Sequence, residues 1–81
     1  MSEGQDTQTV ILDSQPVELY KILKFEGLVA SGAQAKLVID DGLVSVNGDV
    51  ETRRRRKIFH GDQVEFEGLR LSMVLVDATP K

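Results

Sequence analysis

Apolar positions along this chain recur first at helical spacing and then at strand spacing. Leu19, Ile22 and Leu23 stand at i, i+3 and i+4, with Lys21 and Lys24 on the opposite side. That pattern predicts an amphipathic helix over 16–25. Asp13-Ser14-Gln15-Pro16 supplies its start signal and Gly27 the left-handed residue that ends it. An apolar connector at 28–30 follows. Ser31 and Gln34 then make a Ser-x-x-Gln capping box that opens a second helix. Ala35, Val38 and Ile39 form the inward stripe of this helix, and Gly42 closes it.

From residue 43 onward the period changes to two. Val44 and Val46 share one face of a strand over 43–46, and Asn47-Gly48 predicts a type I′ hairpin into a return strand over 49–52. Gly61-Asp62 and Glu67-Gly68 are further turns, bracketing a strand over 63–66 and preceding another over 69–76. Thr9, Val10 and Ile11 place a first strand at 8–12. The expected fold is α+β: two helices packed on a small, strongly bent antiparallel sheet. One domain covers 8–76, with a disordered tail at 1–7 and a second tail at 77–81.

An 81-residue chain has room for one core. With 41% apolar and 28% charged residues it reads as an ordinary folded domain rather than a disordered one. No stretch approaches the roughly 18 apolar residues of a membrane span. The first residues lack the basic flank and apolar core of a secretory signal. Cysteine is absent, which removes disulfides and thiolate metal sites. A cytoplasmic protein without membrane attachment, expected to be monomeric, is the resulting reading.

Charge changes the picture through its placement. The formal net charge is −3, yet half of the ten Lys and Arg residues are Arg53, Arg54, Arg55, Arg56 and Lys57. Exposed carboxylates beyond the Debye length, about 8 Å at physiological salt, are largely screened from such a block. A polarised molecule is therefore expected, with one positive face that its own acids leave unneutralised. Five adjacent like charges gain nothing for folding. Phosphate binding explains them, and four engaged phosphates would give a log–log salt slope of roughly −3 to −3.6. Arginine suits this because its planar fork takes two phosphate oxygens or stacks on a base. The competing readings are an adaptor that binds an acidic protein partner through the same face, and a solvated loop paired with Asp49 and Glu51. Strand alternation would turn two arginines inward, so a loop, a bulge or splayed strand edges are expected here.

Lys36 lies about 100° round the second helix from Ala35, on its outer side, where the hairpin can return the basic block towards it. Gly32 and Ala33 leave the helix start open, and amides there favour phosphate. Ser31 and Gln34 are first of all caps that shape this site. Lys21 and Lys24 read as the solvated face of the first helix, with the rim of the RNA surface as the alternative. His60 reads as a turn or surface residue without a catalytic partner. Asp40-Asp41 cannot act as a carboxylate pair, since adjacent helical residues diverge. With no nucleophile motif, phosphate-binding glycine loop or metal-spaced cluster, no catalytic residues, metal site or cofactor are expected. Tyr20, Phe25, Phe59 and Phe66 are too few, and too needed for a core, to make a platform for single strands. Structured RNA read by shape and backbone fits better, and no helix carries a helix-turn-helix reading set.

Leu23-Lys24-Phe25-Glu26-Gly27-Leu28-Val29-Ala30-Ser31, Ala35-Lys36, Ile39, Gly42, Val44, Val46-Asn47-Gly48 and Gly61-Asp62 together resemble the RNA-binding domain of ribosomal protein S-four, the alpha-L RNA-binding motif. The resemblance covers about residues 17–67. It implies binding of structured rRNA or tRNA, with the ribosome as a candidate partner, through the two helices and the hairpin. Carried over by position, Ser31, Gln34, Lys36 and the segment after the hairpin would contact RNA. Many members have arginine directly after the serine, where this chain has Gly32, and the arginine block would replace that charge. Ser-Gly-x-x-Ala-Lys with Glu-x-Arg-Arg-Arg resembles the small stand-alone bacterial branch, which has no attached enzyme.

Overall fold

A computed structural model describes residues 6–76. Most of the two expected tails lies outside these residues. The first strand, β1, spans Asp6–Leu12 and so begins two positions before the expected 8. The chain then runs through β2 (Val17–Glu18), α1 (Leu19–Phe25), α2 (Gly32–Asp40), β3 (Val44–Val46), β4 (Asp49–Val50), β5 (Lys57–Ile58), β6 (Gln63–Phe66) and β7 (Leu69–Leu75).

The expected stripes meet in one core. Leu19, Ile22 and Leu23 from α1 are buried with Ala35 and Ile39 from α2, while Val38 packs partly against them. Val44, Val46, Val64 and Phe66 add the sheet's inner face. Both helices end in the same way. Gly27 (φ 72°) and Gly42 (φ 78°) adopt left-handed backbone, and the next amides, Leu28 and Leu43, reach back to the carbonyls of Leu23 and Val38. This is the Schellman arrangement, which satisfies carbonyls that the helix leaves open.

The five-stranded sheet has the order β1-β7-β6-β3-β4. It is mixed rather than wholly antiparallel: β1 runs parallel to β7, from Asp6 opposite Leu69 to Leu12 opposite Leu75. No local turn joins these two strands, and the rest of the fold is their crossover. The β3–β4 hairpin turns at Asn47 (φ 53°) and Gly48 (φ 91°), both left-handed as a type I′ turn requires.

The start of α1 differs from expectation. The helix begins at Leu19, not near Pro16, because Val17 and Glu18 are drawn into an antiparallel pair with Ile58 and Lys57. Its first amides find carbonyls far along the chain. Leu19 N–H donates to Arg56 O at 2.9 Å and Tyr20 N–H to Arg54 O at 3.1 Å. No side chain caps this end. The local cap signals at 13–15 are thus overridden by a distant segment, which is the basic block itself.

Candidate nucleic-acid interface

The backbone of the basic block forms a loop with a turn at Arg54 and Arg55, closed by Arg56 N–H donating to Arg53 O at 3.2 Å. The loop alternative is therefore the one adopted, and β4 stops at Val50, short of the expected return strand over 49–52. The carbonyls of Arg54 and Arg56 dock on the amino end of α1, as described above. This docking engages the loop's backbone, and its side chains make separate contacts.

Those side chains are not left unneutralised, contrary to the sequence reading. Arg54 makes a two-pronged contact with Asp40, Nε at 3.1 Å and Nη2 at 2.8 Å. Arg53 and Arg56 both bind Glu51, at 2.9 Å and 2.7 Å for their shortest contacts. The reason is topological: β4 ends immediately before the loop, and the last residue of α2 lies beside it. The side chains of Arg55 and Lys57 are exposed and have no ion-pair or hydrogen-bond partner among the described residues. Together with Arg53 and Arg56 they line an open cleft of about 560 Å³.

Glu51 has the most perturbed environment here. The Arg53 guanidinium hydrogen-bonded to it outweighs the effect of burial and, with Arg56, lowers its carboxyl to about 2. The Arg54 guanidinium likewise holds Asp40 below the ordinary carboxylate range. Neutralisation is partial, however. Two carboxylates face five cations in this segment, and the paired Arg53 side chain remains 71% exposed. The positive character survives, concentrated on Arg55, Lys57 and the outer edges of the paired guanidiniums.

The structure brings Lys36 to the same region through a residue not previously placed in the site. Lys36 Nζ lies 4.7 Å from the centroid of the Tyr20 ring, a cation–π contact, and Tyr20's own amide is the one held by Arg54. Tyr20 also borders Gly32: a Cβ at Gly32 would lie 3.7 Å from the ring edge. Gly32, Lys36, Tyr20 and the basic loop are thus contiguous. Lys21 is 3.8 Å from Glu18 and 6.0 Å from the Tyr20 centroid, which puts it at the margin. Lys24 is exposed near the far end of α1 and no contact ties it to this region.

Ser31 and Gln34 are engaged as caps. Ser31 Oγ accepts from Gln34 N–H at 3.1 Å. The Gln34 side chain reaches back to Ala30 N–H at 2.9 Å, one residue before the position a capping box prescribes. His60 is a turn residue whose Nδ1 accepts from Leu75 N–H at 3.0 Å. Among the aromatics, Phe66 is buried, Phe25 and Phe59 are exposed, and Tyr20 is held to the basic loop through its amide. Among the described residues no group of His, Asp and Glu is placed to hold a metal, and no helix is long and apolar enough to cross a membrane.

The sequence reading grouped Tyr20 with the core aromatics and paired Glu51 with the basic segment only in its solvated-loop alternative. Tyr20 follows the buried Leu19 and looked like core. Glu51 stands next to Val50, and hydropathy would bury the valine; the fold exposes Val50 (64%) and buries Glu51 (7%). The signal available was the Glu-x-Arg spacing, which sets a carboxylate within reach of two guanidiniums.

Comparison with known proteins agrees with the fold. Residues 10–74 match the family model described as the S4 domain. The chain is 52% identical over 58 residues to the Escherichia coli protein named Putative RNA-binding protein YbcJ, covering 72% of this chain and 83% of the relative. It is 36% identical over 59 residues to Bacillus subtilis Probable ribosome maturation protein RlbA, covering 73% and 83%. The solution structure of Escherichia coli YbcJ, described as revealing an alpha-L motif involved in RNA-binding, superposes with a TM-score of 0.61 at 42% identity, over 91% of this chain and 92% of that one. The chain belongs to the S4 domain family.

Proposed function

We propose that this protein binds structured RNA, rRNA or tRNA, without performing chemistry on it, through the surface where the basic loop, the start of α1 and the outer side of α2 meet. The observation that carries the reading is the docking of the loop. Two carbonyls of the basic block accept from the first amides of α1, so Arg55 and Lys57 are presented from a fixed backbone beside Tyr20 and Lys36. A row of cations carried on a held backbone complements the regularly spaced phosphates of a folded RNA. Lys36 and residues 53–57 supply most of the affinity, with Ser31, Gly32 and Gln34 shaping the helix start and Lys21 at the rim. The names carried by the two bacterial relatives support RNA as the partner, and the second favours rRNA within the assembling ribosome. A monomeric, cytoplasmic chain accords with this role.

Filter-binding titrations with rRNA fragments and tRNA over a range of salt test the proposal. Binding is expected to weaken steeply with salt and to fall when Arg55 and Lys57 become alanine. RNA affinity untouched by that double replacement would overturn it. Tight, salt-sensitive binding to an acidic protein but not to RNA would establish the adaptor reading instead.

A further inference from the structure

Inside the basic loop sits a carboxylate that a phosphate-binding surface would be expected to exclude. Glu51 is 7% exposed, and both of its oxygens are occupied. Oε2 accepts from the Arg53 backbone N–H and from Arg53 Nε, each at 2.9 Å. Oε1 accepts from Arg53 Nη2 at 3.1 Å and Arg56 Nη1 at 2.7 Å. These bonds leave Nη1 of Arg53, and Nε and Nη2 of Arg56, without a partner among the described residues. Both side chains line the cleft shared with Arg55 and Lys57.

We propose that Glu51 is a positioning residue for RNA: by fixing the guanidinium planes of Arg53 and Arg56 along the cleft it strengthens the grip on phosphate, although its own charge repels phosphate. This rests on the RNA-binding reading above. Two opposing effects decide the sign. An arginine that must be ordered on binding weakens affinity by roughly two- to tenfold. Glu51 spares that loss for two arginines at once. Its repulsion acts across the guanidiniums it binds and, at about 7 Å, runs from about threefold in bulk water to about fiftyfold at the effective dielectric of a protein surface, below the combined gain of up to about a hundredfold from two ordered arginines. Preorganisation wins. Asp40 makes the contrast: it is an exposed carboxylate holding only Arg54, from the end of α2.

The test compares RNA binding by the parent, Glu51→Gln, Glu51→Asp and Asp40→Asn, each held well below its unfolding temperature. Glu51→Gln removes a negative charge from the binding face, so simple electrostatics requires tighter binding. The expectation here is about tenfold weaker binding. Asp40→Asn should bind equally well or up to about twofold tighter. Glu51→Asp keeps the charge but withdraws it by one methylene, so it should also bind several-fold more weakly; it serves alone if Glu51→Gln does not fold. In the RNA-free protein, nitrogen-resolved NMR should show a protected Arg53 Nε–H that is lost in Glu51→Gln while Arg55 is unchanged. A Glu51 that served folding alone would lower the melting temperature and leave the affinity of the folded variants at the parental value. That result, or tighter binding by folded Glu51→Gln, overturns the proposal. A parent that fails to bind RNA overturns the functional reading itself, and this inference with it.

Discussion

The side-chain amide of Asn47 donates to Asp62 Oδ1 at 3.1 Å, linking two turns that lie 15 positions apart in sequence. Asn47 Oδ1 also accepts from Gln63 N–H at 2.9 Å, and Asp62 Oδ2 accepts from Phe59 N–H at 2.8 Å. Asn-Gly and Gly-Asp, each readable as a local turn, are thus one construction that pins the hairpin to the β5–β6 connection. The basic loop is suspended between the two pinned points.

Breaking this link should loosen the loop without touching a cation. Asp62→Ala removes two acceptors and is expected to cost about 1–2 kcal/mol in urea unfolding. Asn47→Gly keeps the left-handed backbone and should lose a similar amount. Because the two side chains share a bond, the double variant should be less destabilised than the sum of the singles, by about 0.5 kcal/mol or more. Strict additivity would show that the link contributes nothing.

Arg55 and Lys57 should behave differently from their paired neighbours. Replacing both with alanine is expected to leave the melting temperature unchanged while flattening the salt dependence of RNA binding by roughly 1.4–1.8 in log–log slope. Arg56→Ala should instead lower stability as well as affinity, since it deprives buried Glu51 of a partner. Equal effects of the two replacements on stability would refute this division.

Acid should destabilise the fold through Glu51. Its folded-state carboxyl titrates at about 2 against an ordinary 4.5. A depressed folded value means that the stabilisation is fully present above the unfolded value and is lost as pH falls from about 4.5 towards 2. The loss is on the order of 2–3 kcal/mol. Asp40 adds to it in the same direction. Urea midpoints across that window should fall more steeply in the parent than in Glu51→Gln. Parallel curves would remove Glu51 as the cause.

Gly32 opens α2 with ordinary backbone and room beside it, the nearest atom to an added Cβ being Tyr20 at 3.7 Å. Gly32→Ala should therefore fold normally and gain about 0.5 kcal/mol. Gly32→Arg adds a cation beside Tyr20 and Lys36 and is expected to tighten RNA binding severalfold at low salt. A loss of stability in Gly32→Ala, measured by thermal unfolding, would mean that the helix start is more crowded than this geometry shows.

The sequence by itself determined the local pieces. Helical stripes at Leu19, Ile22, Leu23 and at Ala35, Ile39, the glycine stops at 27 and 42, and the Asn47-Gly48 turn all follow from spacing and backbone freedom within a few residues. It also marked the basic block as the feature needing a partner. Only the tertiary structure decided how those charges are shared. The parallel pairing of β1 with β7 and the docking of Arg54 and Arg56 carbonyls on α1 join segments with no local signal between them. The fold brings Asp40 into reach of Arg54, while Glu51 meets Arg53 and Arg56 from within its own segment. Burying Glu51 while exposing Val50 runs against hydropathy, and it is offset by the charge-assisted hydrogen bonds that Arg53 and Arg56 give its carboxylate.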